Sequence, residues 1–171
     1  CQHCKCKAVV CFQNISKQFP EEQLWIVGDG NQREELQDFT KNNNLQNVSF
    51  LGNKSREELQ EIYANCKFSV VPSEYLEAYG NVILESLAFG KTVITSDLVG
   101  IKEEIEQNNV GLTYSYQNQK ALEEKMVELL SNSGLKSKLE NNIPNYLITK
   151  TFAKHFSDLV NVYENLLSRN R

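Results

Sequence analysis

Proline is scarce in this chain, with 3 in 171 residues, and Met and Trp occur once each. Glycine stands at only 8. These counts exclude collagen-like and proline-rich extended structures. No apolar run approaches the ~20 residues that span a bilayer. Positive charge is not in excess either: 18 Lys and Arg against 22 Asp and Glu leave a net charge of −4. That balance gives no general attraction to nucleic acid or anionic lipid, so no nucleic-acid partner is expected, and the sequence is silent on membrane contact. There is no basic-then-apolar signal segment and no Met at position 1, which raises the expectation of a fragment of something longer. What is present is 40% hydrophobic residues over a length that suits one domain. That content is enough to offset the entropy of ordering a chain, which excludes disorder.

Five cysteines stand at positions 1, 4, 6, 11 and 66. Cys1-x-x-Cys4-x-Cys6, with His3 inside it, resembles half a metal site. A structural zinc site takes four ligands, usually as two separated pairs. Cys66 and His155 are the distant candidates, and neither belongs to a pair. No bound metal is expected, and the plain reading of residues 1–6 is a frayed terminus. An odd cysteine count, with Cys11 and Cys66 inside apolar patterns, argues for a reducing compartment, so a cytoplasmic location is expected.

Ala8, Cys11, Phe12 and Ile15 recur at helical spacing, predicting a helix over about 7–18 that Pro20 stops. Leu24-Trp25-Ile26-Val27, closed by Gly28-Asp29-Gly30, reads as a buried strand and tight turn. The pattern then repeats. A helix over 31–43 precedes a strand at Val48–Leu51 closed by Gly52. The capping box Ser55-x-x-Glu58 opens the next helix. Strands follow at Phe68–Val71, Thr92–Thr95 and Gly111–Tyr114, with helices over Gly80–Phe89 and Ile101–Gln107 between them. The remainder reads as helices over 117–131, 134–142 and 151–168, punctuated by Ser133-Gly134 and Pro144. Alternating short apolar strands and helices predict an α/β fold, with a Rossmann-like parallel sheet carrying helices on both faces. In such folds ligands bind beyond the carboxyl ends of the strands.

The loop Pro72–Gly80 lies at such an end. In the helix behind it, Glu85 is the lone charged residue among apolar neighbours. A helix apolar on nearly every face is expected to be buried between layers. A buried carboxylate there needs hydrogen-bond partners. Its two oxygens suit the vicinal hydroxyls of a ribose; the plain alternative is a surface Glu on an exposed helix edge, and both readings stand on position 85 alone. Gly80 opens the helix, whose N-terminal amides and dipole form an anion site that a glycine lets a phosphate approach. The run Gly28-x-Gly30-x-x-Arg33 is not a dinucleotide fingerprint, because Arg33 stands where a Gly or Ala is needed. Asp29 is read as a turn residue.

The stretch Glu77-Ala78-Tyr79-Gly80-Asn81-Val82-Ile83-Leu84-Glu85-Ser86-Leu87-Ala88-Phe89-Gly90-Lys91-Thr92-Val93-Ile94 resembles the signature of glycosyltransferase family 4, whose two glutamates stand eight positions apart in the C-terminal half of a GT-B fold. Phe19-Pro20 through Gly30, Val48–Gly52 and Ser96–Glu103 resemble the family's flanking strands and loops, so the likeness runs from about residue 8. Thr92 replaces a Pro and Val99 a Gly, both at backbone positions. The resemblance implies a retaining transferase that takes a sugar from a nucleotide diphosphate sugar, a UDP- or GDP-sugar, without metal. It implies a hexosyltransferase-type enzyme of carbohydrate biosynthesis. Glu85 would hold the ribose and Glu77 would face the donor sugar as the catalytic carboxylate. The amides of Ala78, Tyr79, Gly80 and Asn81, with Val82, would meet the sugar and distal phosphate. Phe50, Leu51 and Gly52, with Gly28, would flank the base.

The family also carries an Arg and a Lys that neutralise the diphosphate. Here the Lys position falls at His3 and the Arg position off the chain, while nothing places Lys5 or Lys7 at a phosphate. The first strand is expected to be missing or replaced by the cysteine-rich stretch. The chain 1–171 is thus expected to be a single donor-binding domain lacking an N-terminal acceptor domain, and inactive alone. An acceptor glycan, lipid or other hydroxyl compound would belong to that second domain. The alternative is a non-catalytic nucleotide-sugar-binding or regulatory domain. Phe152, Phe156, Leu159, Val162, Tyr163 and Leu166 give the last helix an apolar stripe. Docking on its own domain is favoured for it, over docking on an absent N-terminal domain. Tyr75, Tyr79 and His155 are either packing residues or cleft residues.

Overall fold

The computed structural model describes residues 7–169, so the cysteine-rich start, with the expectations for His3, Lys5 and a lost first strand, lies outside the described residues. Among the described residues the order is α1 (Lys7–Gln18), β1 (Leu24–Val27), α2 (Arg33–Asn42), β2 (Val48–Gly52), α3 (Arg56–Asn65), β3 (Ser69–Val71), α4 (Asn81–Ala88), β4 (Val93–Ser96), α5 (Lys102–Asn108), β5 (Gly111–Tyr114), α6 (Gln119–Ser131), α7 (Ser133–Ile148) and α8 (Phe152–Arg169). Local chemistry sets many of these bounds. In α1, Ala8, Val9, Cys11, Phe12 and Ile15 are buried as one stripe, and Phe19 closes the last turn onto the Ile15 carbonyl ahead of Pro20. The capping box is formed at α3: the Ser55 hydroxyl accepts from the Glu58 amide, and the Glu58 carboxylate accepts from the Ser55 amide at 2.8 Å. The Asn132 side chain caps α7 by accepting from the Leu135 amide at 2.9 Å.

Every paired strand is parallel, as expected, but the strands form two sheets rather than one: β1–β2, and β3–β4–β5. Ile26 sits opposite Phe50, Val70 opposite Ile94, and Thr95 opposite Thr113. A cavity of about 860 Å³ lies between the sheets, lined by residues of both β1 and β3 and closed by side chains such as Phe12 and Met126. Strands β1 and β2 are therefore only half-buried, although the apolar run at 24–27 suggested full burial, and Val27 is 39% exposed.

Around β4 the layering is complete. Its four residues are all buried, and alternate ones serve opposite cores. Ile94 joins Phe12, Ile15, Leu122, Met126 and Leu139 on the face covered by α1 and α6. Val93 joins Ile83, Leu87, Ile101, Ile105 and Tyr146 on the face covered by α4 and α5. Each such side chain contributes about 1.5–3 kcal/mol on burial.

Two expectations need correction. Helix α7 runs through Pro144 instead of ending near residue 142. Pro144 lacks an amide to donate, but Ile143 and Tyr146 on either side of it are buried in the second core, and that packing outweighs the lost bond. Helix α8 does not dock on its own domain: its apolar stripe is open, with Phe152 82%, Tyr163 60% and Leu167 69% exposed. No helix among the described residues is long and apolar enough to cross a membrane.

Candidate functional site

Gly28 after β1, Asn53 and Lys54 after β2 and Pro72 after β3 line one cavity together with Val82 and Glu85 of α4. Gly80 is the residue before α4 and takes φ +77°, a left-handed conformation; a Cβ there would stand 2.9 Å from Ile83 Cδ1. Both facts demand glycine. The helix therefore starts abruptly, with its first amides and the positive end of its dipole directed back at the loop.

Glu77 is half-buried and fixed on three sides. Its amide donates to the Leu98 carbonyl at 3.1 Å, its carbonyl accepts from the Gly100 amide at 2.8 Å, and its Oε1 accepts from the Ser73 hydroxyl. Its backbone pairs with Val99 as a single parallel bridge. A Cβ at Gly100 would lie 2.1 Å from the Ala78 carbonyl oxygen, so this stitching requires glycine at 100. At the neighbouring replacement, the Thr92 hydroxyl is buried and donates to the Val110 carbonyl at 2.9 Å. Glu77 Oε2 lies 3.5 Å from the Cβ position of Gly80, so the carboxylate stands beside the start of α4.

Of the two readings of Glu85, the structure shows the Glu on an exposed helix edge, not the buried carboxylate. Helix α4 buries only Ile83, Ser86 and Leu87, and its opposite edge, with Val82 51% exposed, is open. Glu85 lies on that edge and, with Val82 and Gly28, lines the cavity between the sheets. Across from it, burial and then the Glu85 charge push the Tyr63 hydroxyl's pKa up. The Tyr63 ring stacks on Phe89, with centroids 5.2 Å apart. A carboxylate at the wall of an open cavity needs no internal partner and is available to a ligand.

On the other sheet, Gly28 donates to the Gly52 carbonyl at 2.8 Å, which joins the expected turn and base-strand positions. Phe50 and Leu51 precede Gly52 on β2 and are half-buried. The structure thus groups Gly28, Val82 and Glu85 in the cavity, while Glu77, Ala78, Tyr79, Gly80 and Asn81 form the loop that leads into α4 and, like Gly52, do not line it. Phe50 and Leu51 stay on their strand and do not line the cavity.

Several neighbours escaped the sequence. Ser73 aims the Glu77 carboxylate. Arg33 ion-pairs with Asp29 at 3.5 Å and places Nη1 3.2 Å from the Cβ position of Gly52. Lys7 is drawn to the loop, 3.2 Å from Glu74, and also donates to the Tyr116 carbonyl. A cation or hydroxyl in a loop at a strand's carboxyl end was the available signal for Ser73 and Arg33. Tyr75 is 68% exposed, and His155 lies on exposed α8.

Parallel strands clothed by helices, with a glycine-led helix start and flanking glutamates at their carboxyl end, define a Rossmann-like ligand-binding domain of the GT-B type. The family described as Glycosyl transferases group 1 matches residues 7–146, and the chain belongs to it. An uncharacterized glycosyltransferase of Methanocaldococcus jannaschii is 34% identical over 132 residues, which is 77% of this chain and 36% of that protein. Anabaena HepE, solved in complex with UDP, superposes with a TM-score of 0.76 at 19% identity, over 95% of this chain and 44% of its own. The C-terminal domain of LpcC, a glycosyl transferase group 1 family protein from Francisella tularensis, superposes with a TM-score of 0.75 at 21% identity, over 84% of this chain and 77% of its own. The chain spans 36% and 37% of the length of the two M. jannaschii relatives it matches.

Proposed function

We propose that this chain is the donor-binding half of a retaining glycosyltransferase of family 4, which transfers a hexose from a nucleotide diphosphate sugar to a hydroxyl acceptor. The observation that carries the reading is the arrangement around α4. A fixed carboxylate, Glu77, stands beside an uncapped helix start, and a second carboxylate, Glu85, lies on the open edge facing the cavity. UDP bound by the structurally similar HepE is consistent with it. In this reading the ribose hydroxyls donate to Glu85, and the distal phosphate meets the amides that open α4. Glu77 accepts a donor-sugar hydroxyl or stabilises oxocarbenium charge as the glycosidic bond breaks. Ser73 fixes the orientation in which it does so.

The acceptor, a glycan, lipid or other hydroxyl compound, belongs in this reading to an N-terminal domain. The coverage of the relatives supports that division. The reading needs no metal, and it places the enzyme in carbohydrate biosynthesis in the cytoplasm. A non-catalytic nucleotide-sugar-binding role is favoured by one observation: the Lys7 ammonium beside the loop is already paired with Glu74.

A calorimetric screen against UDP-, GDP- and ADP-sugars tests the donor assignment. At least one should bind, and more tightly than the matching nucleoside monophosphate. No binding by any of the three overturns it. Sugar transfer by the isolated chain would overturn the two-domain division.

A further inference from the structure

The loop that would hold the donor is fixed at both ends but spans a gap. Hydrogen bonds to the next loop stop at Glu77, and the helix turn begins where Ile83 donates to the Gly80 carbonyl at 2.9 Å. Ala78 and Tyr79 lie between. The Tyr79 ring is 39% exposed, so core packing alone does not hold it. A residue far away in sequence reaches it. Lys150, one of the three residues joining α7 to α8, places its ammonium 5.7 Å from the Tyr79 ring centroid. That lies within cation–π range. The same ammonium stands 5.2 Å from the Tyr146 ring and pairs with the Glu104 carboxylate on α5. The buried Tyr146 donates its hydroxyl to that carboxylate at 2.8 Å. Burial works to lower the Lys150 pKa, but the Glu104 carboxylate and the Tyr79 hydroxyl hold it above the usual lysine value.

We propose that Lys150 is a positioning residue for the donor loop: anchored by Glu104 and Tyr146, it holds the Tyr79 ring and thereby aims the amides of Ala78 to Asn81. The anchor is firm because Tyr146 and its neighbour Ile143 are buried in the second core. The reach matters because Tyr79 directly precedes Gly80, whose left-handed turn sets where α4 points. Since Lys150 is also the joint from which α8 departs, the donor loop and the open apolar helix share one fixed point. The proposal rests on the donor-binding reading for its ligand, but not for its geometry.

The test uses the chain itself with Lys150→Met and Lys150→Arg. In the free protein, amide hydrogen exchange at Gly100 and Ile83, whose bonds to the Glu77 and Gly80 carbonyls close the two ends of the loop, should quicken about tenfold in Lys150→Met and stay near wild type in Lys150→Arg, because a guanidinium can both pair with Glu104 and stack on the ring. Titration with UDP-glucose and UMP gives the second readout. Lys150→Met should weaken UDP-glucose about fivefold and leave UMP, whose ribose is held by Glu85, within twofold. Unchanged exchange in Lys150→Met overturns the proposal, whatever the nucleotides do. Equal weakening of both nucleotides overturns it too, by showing a general structural effect. If wild type binds neither nucleotide, the donor reading with this probe fails, while the exchange result still decides whether Lys150 orders the loop. Should Lys150→Met not fold, Tyr79→Leu removes the ring from the other end, and the same exchange rates at Gly100 and Ile83 decide.

Discussion

Strands β1 and β4 begin as similar four-residue sequences and end in different environments. Leu24-Trp25-Ile26-Val27 is the more apolar, yet it is half-buried, while Val93-Ile94-Thr95-Ser96 is buried at every residue. The cause is company. β4 has a parallel strand on each side and a core on each face. β1 pairs with β2 alone among the described strands and otherwise borders the cavity. Hydrophobicity expresses what a strand can bury; neighbours decide what it does bury. The ligand-facing features follow the same division. The stitched loop of Glu77 grows from the β3–β5 side, and Glu85 looks out from that side into the open space.

Substitutions of equal size on the two sides should break the comparison open. The largest effect is expected at glycine. Gly100→Ala forces a methyl to 2.1 Å from the Ala78 oxygen, and about 3 kcal/mol or more of stability should be lost. Gly30→Ala, on the β1 side, meets no atom within 4 Å and should change stability by less than about 0.5 kcal/mol. Chemical denaturation of the two variants measures both. Next come the strands themselves. Ile94→Ala empties a site in a closed core and should cost about 2–5 kcal/mol, whereas Ile26→Ala widens a cavity that already exists and should cost about 1 kcal/mol. Equal losses would mean that β1 is packed as tightly as β4.

The smallest effect concerns the Glu104–Tyr146–Lys150 tie, and pH reads it. Burial tends to raise the Glu104 pKa, but hydrogen bonds from Lys150 and Tyr146 hold it below the usual carboxylate value. Its stabilisation is therefore present above the unfolded value of about 4.3 and lost as pH falls through the lower folded value. The Lys150 pKa is raised, so its contribution is present below about 10.4 and lost as pH rises through the folded value. A Tm difference between wild type and Lys150→Met should hold between about pH 5 and 10 and shrink at pH 3. Since the Glu104 side chain is 39% exposed, the stability difference behind it should stay under about 1 kcal/mol. A difference independent of pH would show that packing, not charge, supplies it.

Much of this was legible in the sequence because the signals were local. Apolar periodicity, the Ser55 capping box and the glycine-ended strands marked all five strands and the helices between them. The family likeness placed Glu77, Gly80 and Glu85 in one stretch. What the sequence could not show depended on partners distant along the chain. The same apolar helix reads as buried whether or not a layer covers its second face, so the sequence left Glu85 open between an enclosed carboxylate and an exposed helix edge, and the structure shows the exposed edge. The run at 24–27 gives no sign that its sheet stops there. Pro144 signals a break, and only the packing of Ile143 and Tyr146 carries the helix past it. Lys150 carries no motif, and it meets Tyr79 only because α7 returns it to the loop.

The account turns on the claim that the cavity-facing edge of α4 is the donor surface. Calorimetric titration of the tightest-binding nucleotide diphosphate sugar into wild type and Glu85→Ala tests it most directly. Because Glu85 is exposed, the variant should keep its Tm to within about 2 °C. A folded Glu85→Ala protein with at least about tenfold weaker binding, roughly 1.4 kcal/mol, is the predicted result. Identical affinity in the two proteins would contradict it.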